Sequence, residues 1–208
     1  ALQHLVCKAF TDHQRIIFNG NGYSDDWQKE AACRGLSNLR STAKAMPAYV
    51  SQKNIDLVTK RGIYTESEFR ARYEIHLETY NKLINIEART MVDMIMHQIL
   101  PAAIKYSSDL ACGINQKRQA LGENVKAIVE TSLTERISSC CDRLYVSAEK
   151  LHRDLKSVPR GSNQESSDYY CDVIVPGMEQ IRKDADLLEK LTPKSYWPYP
   201  IYSDMLFY

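Results

Sequence analysis

From Phe69 onward, apolar side chains return at helical spacing through Tyr73, Leu77, Tyr80, Ile84, Met91, Met94 and Ile95, and no turn signal interrupts them before Gly113. Thr65 and Glu68 form a capping-box sequence at the start of this run. One helix of that length is roughly 70 Å long at 1.5 Å per residue. Pro101 lies inside it and removes one helical hydrogen bond while crowding the preceding turn. The pattern resumes at Ala102, Ile104 and Leu110, so the expectation is a kink near Gln98 and Ile99, with the helix continuing beyond it.

A second stripe restarts at Leu121 with Val125 and Ile128, slips in phase near Leu133, and then steps through Ile137, Cys141, Leu144, Ala148, Leu151, Leu155 and Val158. Alternating steps of four and three make a heptad-like seam, which calls for a long helix packed along another. A polar connection from Pro159 to Ser167 leads to a third stripe at Tyr170, Ile174, Ile181, Ala185 and Leu188, interrupted by Pro176 much as Pro101 interrupts the first. Ile99-Leu100-Pro101 and Ile174-Val175-Pro176 are a weak echo of each other. Connections this short force antiparallel neighbours. The fold class is therefore all-α, a bundle of long, proline-kinked antiparallel helices. The 208 residues hold only 8 Gly and 7 Pro, against on the order of fifteen and ten from average usage, too few for a turn-rich β architecture.

The chain reads as a single helical domain in three stretches: short helices and loops over 1–64, the bundle over 65–191, and an extended aromatic tail over 192–208. Helical periodicity already runs at Leu2, Val6, Ala9, His13 and Ile16, with Leu5 and Ile17 flanking it, and the first residue is Ala. That start resembles a cut inside an element, so a segment of a longer protein is expected. Asn19-Gly20-Asn21-Gly22 breaks the first helix. Ser24 then caps a short helix with Asp25 and Asp26 in its first turn and Arg34-Gly35 at its end. The stretch through Ala45-Met46-Pro47-Ala48 reads as loop, and another short helix spans about Gln52 to Arg61, stopped by Gly62. Four of the 13 tyrosines fall between Tyr196 and Tyr208. Prolines in that tail oppose helix while large rings demand cover, so Tyr196, Trp197, Tyr199, Tyr202, Leu206 and Phe207 are the candidate interface residues of a docking strap.

A formal charge of +1 supplies no field for nucleic acid or for an anionic membrane surface. No secretory leader opens the chain and charges interrupt every apolar run, so a cytoplasmic protein without a membrane span is expected. The six cysteines show no zinc spacing, and of the adjacent Cys140 and Cys141 only one is expected to face a core squarely. Three candidate chemistries remain weak. The amides of Asn19, Gly20, Asn21, Gly22 and Ser24 could hold an anion, although no strand leads in and no Lys follows in phosphate-loop register, so a tight corner is several times the better reading. Asp93 and His97 share a helical face, as do Glu74, His76 and Glu78, but neither set has a zinc-protease pattern and salt-bridged surface is favoured. His13 and His152 fall on or beside apolar stripes, where a boundary histidine is commoner than a ligand. No complete catalytic constellation emerges.

Two motifs carry a family resemblance. The run Arg15 to Trp27, followed by Arg34-Gly35-Leu36-x-Asn38-Leu39, and the ending Trp197-Pro198-Tyr199-Pro200-Ile201-Tyr202-x-Asp204-Met205-Leu206-Phe207, together resemble the C-terminal region of type III glutamine synthetases. Tyr73-Glu74-Ile75, Asn85-Ile86-Glu87-Ala88, Ile99-Leu100-Pro101-Ala102 and Val175-Pro176-x-Met178-Glu179-x-Ile181-Arg182 are similar to further patches of that family, with Gly177 where the family often has Ala. The resemblance implies a ligase that joins ammonia to glutamate through γ-glutamyl phosphate, using ATP with Mg or Mn held by carboxylates upstream of a segment like this one. It assigns no catalytic, cofactor or metal residue to this chain. The implied role is bracing or assembling a homo-oligomeric ring, with the upstream catalytic domain and neighbouring subunits as partners and the segment inactive alone. The alternative from the residues themselves is an independent helical binding module with an anion or nucleotide pocket at Asn19 to Ser24.

Overall fold

The structure, a computed structural model, describes residues 1–206, with the side chains of Tyr202 and Ser203 set aside. Its helices are α1 (Leu2–Asp12), α2 (Asp25–Cys33), α3 (Thr42–Tyr49), α4 (Gln52–Lys60), α5 (Glu66–Met94), α6 (Leu100–Leu121), α7 (Ile128–Lys156), α8 (Asn163–Tyr169), α9 (Val175–Leu191) and α10 (Tyr202–Leu206). No strand occurs among the described residues.

Three rods make the bundle. A π-helical turn, Ile95–Ile99, joins α5 to α6 without a break, and another, Tyr170–Ile174, joins α8 to α9. Each proline sits two residues past its π turn. The pyrrolidine ring crowds the carbonyl four residues back, His97 for Pro101 and Asp172 for Pro176, and both of these lie inside the π turns. Widening the helix by one residue there accommodates the ring and the missing N–H, so the backbone stays helical on either side. A π turn stands where the kink near Gln98 and Ile99 is expected, and the Ile-x-Pro echo marks the same device used twice.

α7 runs antiparallel to both other rods and packs along α6 on one side and α9 on the other. Its seam residues Ile137, Cys140, Leu144, Ala148 and Leu151 are at most 1% exposed, and they meet Ala88, Ile95, Ile99 and Ala103 from one rod and Ile174, Ile181 and Leu188 from the other. Because α7 is covered on two sides, both adjacent cysteines are buried, Cys141 as well as Cys140, contrary to the single-facing expectation. Burial pushes the Cys141 thiol up to about 11, which leaves it a small apolar side chain with no thiolate at neutral pH.

Several boundaries differ from the sequence expectations. Gly113 sits inside α6 with open space around it, and the helix ends at Gly122, whose φ of 95° suits only glycine. A glycine inside a helix costs about 1 kcal/mol relative to Ala, too little to stop a rod that is packed elsewhere. Ala45 to Ala48 belong to α3, which Ser41 caps by accepting the Lys44 N–H; Pro47 is tolerated within a helix only two turns long. The polar stretch before Ser167 is shorter than expected, because Ser162 and Glu165 form a capping box that starts α8. The tail is not wholly extended either. Trp197 N–H returns to the Pro193 carbonyl, and α10 forms after the last proline, where nothing opposes a helical turn.

Replacing Leu144 with Ala removes buried volume from the two-sided seam and is expected to cost about 2–5 kcal/mol in urea unfolding. Val146→Ala, on the exposed side of the same helix, is expected to change stability by less than about 0.5 kcal/mol.

Candidate functional site

Two places join distant parts of the chain. The first is a polar ladder between α5 and α8. Asn81 Nδ2 donates to the Asn163 carbonyl at 3.1 Å, the fully buried Ser167 Oγ donates to Asn81 Oδ1 at 2.7 Å, and Asn85 Nδ2 donates to the Tyr170 hydroxyl at 2.7 Å. Tyr73 donates to Gln164 Oε1 at 2.9 Å, and Asn163 Nδ2 reaches Glu74 Oε2 at 2.8 Å. All but the exposed Asn163–Glu74 bond satisfy polar atoms in the partly buried contact between the rods, and so help to fix their register.

α3 is pinned to this ladder. Gln164 Nε2 donates to the Ala43 carbonyl at 2.9 Å, and Lys44 Nζ bridges Asp168 at 3.0 Å and Asp172 at 2.8 Å. The Asp172 and Asp168 carboxylates raise the Lys44 pKa above its ordinary value, and the Lys44 hydrogen bond holds the Asp168 carboxyl below the usual carboxylate range. Spacing on α3 could not reveal these partners, which lie more than 120 residues away in sequence.

The second place is the tail. Tyr196 donates to Asp109 Oδ2 at 2.7 Å with its ring 5.1 Å from that of Tyr106, and Trp197 and Tyr199 pack on the bundle core. These three candidate interface residues are therefore docked on their own chain. Leu206 is exposed, Tyr202 lies in α10, and Phe207 lies outside the described residues. Between α5, α9 and the tail runs an apolar groove of about 640 Å³, lined by Met91, Met94, Met178, Ile181, Trp197 and Tyr199 among others.

The N-terminal stretch behaves differently. Among the described residues, none before Ala43 is buried. Leu2, Leu5, Val6 and Phe10 form one apolar face of α1 and are 46% to 75% exposed. What order the stretch has is local. Phe18 stacks on Trp27 at 4.5 Å, and Arg34 lies over that indole while donating to the Ile17 carbonyl at 2.6 Å.

The weaker candidates resolve as follows. In the Asn19 to Ser24 loop, the Tyr23 N–H is taken by Asn21 Oδ1 at 3.0 Å and the Ser24 N–H by the Asn21 carbonyl at 3.1 Å. Asp25 and Asp26 occupy the first turn of α2. Of the five candidate amides that of Ser24 is thus spent inside the loop, and the two acidic residues at the start of α2 disfavour an anion beside it. Asp93 Oδ1 and His97 Nδ1 lie 2.8 Å apart with both side chains well exposed, and Glu78 pairs with Lys82. Among the described residues, no three His, Cys, Asp or Glu side chains cluster to hold a metal ion. No helix among them is long and apolar enough to cross a membrane.

The described residues thus form an all-α three-rod bundle that carries a peripheral helical stretch with an exposed apolar face. The model of the glutamine synthetase C-terminal domain matches residues 1–118, and the chain belongs to that family. It is 38% identical over 196 residues to a glutamine synthetase of Butyrivibrio fibrisolvens, covering 94% of this chain and 28% of that protein. It is 32% identical to the type-3 glutamine synthetase of Dictyostelium discoideum, covering 100% and 29%, and 30% identical to a glutamine synthetase of Bacteroides fragilis, covering 92% and 27%. The chain thus spans less than a third of the length of the curated relatives it matches.

The α3 latch has a defined pH response. Asp168 titrates lower when folded than when unfolded, so its contribution is complete above the ordinary carboxylate range and is lost as pH falls through the folded value. With side chains roughly 40% exposed, solvent screens the pair and its contribution is small. Lys44→Met is accordingly expected to lower the melting temperature slightly at neutral pH and to have no effect once both aspartates are protonated, which paired thermal melts will read.

Proposed function

We propose that this chain is the helical C-terminal segment of an ATP-dependent glutamine synthetase, and that it braces and assembles the enzyme without itself catalysing. The observation that carries this reading is the unburied face of α1. A helix of 11 residues gains little stability in water from its own hydrogen bonds, and four large apolar side chains on one face need an apolar surface to cover them. Burying a Leu or Phe stabilises by very roughly 1.5–3 kcal/mol, so the face is worth enough to order the helix against a partner.

That partner is the catalytic portion of the same enzyme, in the same or a neighbouring subunit of a homo-oligomeric ring. Membership of the glutamine synthetase C-terminal family and the length of the relatives support this assignment. In the whole enzyme the substrates are glutamate, ammonia and ATP with Mg or Mn, and the site of action is the cytoplasm. The donor sets for those ligands belong to the remainder of the polypeptide. This chain contributes rigidity, because its rods are locked by the α5–α8 ladder while its apolar α1 face is left to dock.

Assayed alone with glutamate, ammonia, ATP and Mg or Mn, the chain is expected to form no glutamine; robust turnover would overturn the reading. Joined to the length of polypeptide its relatives carry, Leu5→Asp with Phe10→Asp is expected to lower the assembled mass in light scattering while circular dichroism keeps the helix content. An unchanged mass would count against α1 as the docking face.

A further inference from the structure

The loop ahead of α2 holds two copies of one dipeptide, Asn19-Gly20 and Asn21-Gly22, in different surroundings. In an Asn-Gly pair the glycine backbone nitrogen can attack the asparagine side-chain carbon, because no Cβ obstructs the approach and the glycine backbone rotates freely. The reaction needs an exposed asparagine, a glycine N–H committed to no acceptor, and room for the backbone to move.

All three conditions meet at Asn21-Gly22. Both residues are exposed, and none of the hydrogen bonds among the described residues uses the Gly22 N–H. A Cβ placed on Gly22 meets nothing within 4 Å. The Asn21 Oδ1 also accepts the Tyr23 N–H at 3.0 Å, which holds the amide in place and stabilises the negative charge that builds on that oxygen during attack. Asn19-Gly20 is constrained instead. The Phe18 ring, itself stacked on Trp27, lies 2.5 Å from where a Gly20 Cβ would stand, so that backbone is seated against a held ring.

We propose that Asn21 is a self-modification site, converting without an enzyme to isoaspartate and aspartate through a succinimide. The Gly22 nitrogen bonds to Asn21 Cγ, the Cγ–Nδ2 bond breaks, and the side-chain nitrogen leaves as ammonia with the proton from Gly22. Water, the only co-reactant, then opens the five-membered imide. Hydroxide adds to one imide carbonyl carbon, the bond from that carbon to the ring nitrogen breaks, and the nitrogen takes up a proton. Opening at Cγ yields aspartate. Opening at the main-chain carbonyl carbon yields isoaspartate, whose backbone passes through Cβ and Cγ.

The consequence is local and directional. The Asn21 carbonyl accepts both the Ser24 N–H at 3.1 Å and the Ser24 Oγ at 2.8 Å, and this turn leads the chain into α2. An extra methylene in the main chain displaces that carbonyl and releases the turn, loosening α2 from the Phe18 and Trp27 stack while the bundle is untouched. The site therefore ages the N-terminal stretch selectively.

The test is to incubate the folded 208-residue protein in mildly alkaline buffer made with heavy-oxygen water, then to map peptides by mass spectrometry and label isoaspartate with an isoaspartyl methyltransferase. Asn21 is expected to incorporate heavy oxygen about tenfold faster than Asn19 in the folded protein, a barrier difference that unfolding in urea abolishes. Gly22→Ala is expected to suppress the reaction at Asn21 and leave Asn19 unchanged. Equal rates at the two asparagines in the folded protein, or no isoaspartate at Asn21 while the urea-unfolded chain forms it, would overturn the proposal.

Discussion

Burial of α7 on two sides is the interaction on which the rest depends. A helix that packs on one neighbour needs a single apolar stripe, but α7 lies between α6 and α9 and hides a face wide enough to take in Cys140 and Cys141 together. The other two rods are held apart and aligned by it. Only with that alignment can α5 and α8 approach closely enough for Asn81, Asn85, Ser167 and Tyr170 to meet, and the polar ladder then selects one register from the several that apolar packing alone would tolerate.

Two prolines placed within buried rods look destabilising until the π turns are considered. Ile95–Ile99 and Tyr170–Ile174 each end two residues before a proline and each place apolar residues in the shared core, Ile95 and Ile99 on one side and Tyr170 and Ile174 on the other. The local loss of regular hydrogen bonding is offset by packing at the centre of the molecule. The tail closes the same region from outside through Trp197 and Tyr199, so the strap, the π turns and the seam form one stabilised unit.

The first forty residues contrast with this unit. They lie within the stretch that the family model matches and carry the longest motif of the resemblance, yet none of them is buried. Order without burial is costly to maintain, and the Phe18, Trp27 and Arg34 stack maintains it only locally. The exposed apolar α1 face lies beside a bundle whose own core is closed, in a chain that spans less than a third of the length of its curated relatives.

Much of this was legible in the residues. The Phe69 stripe, the Ile137 to Leu155 seam and the Thr65 capping box declare their helices directly, because 3.6-residue periodicity and cap chemistry are local properties. The echo around Pro101 and Pro176 located both distortions, and the family motifs identified the kin. Spacing could not tell that Gly113 continues a helix while Gly122 ends one, since the difference is a φ of 95° set by the turn into α7. Nor could it pair Lys44 with Asp168 and Asp172, or Arg143 with Asp184, across the chain. The sequence by itself determined the helices, their class and their family, because those rest on local periodicity and residue identity. Only the tertiary structure decided that Tyr196, Trp197 and Tyr199 dock on their own bundle while α1 stays uncovered, because both stretches are equally apolar and what separates them is which surface lies within reach.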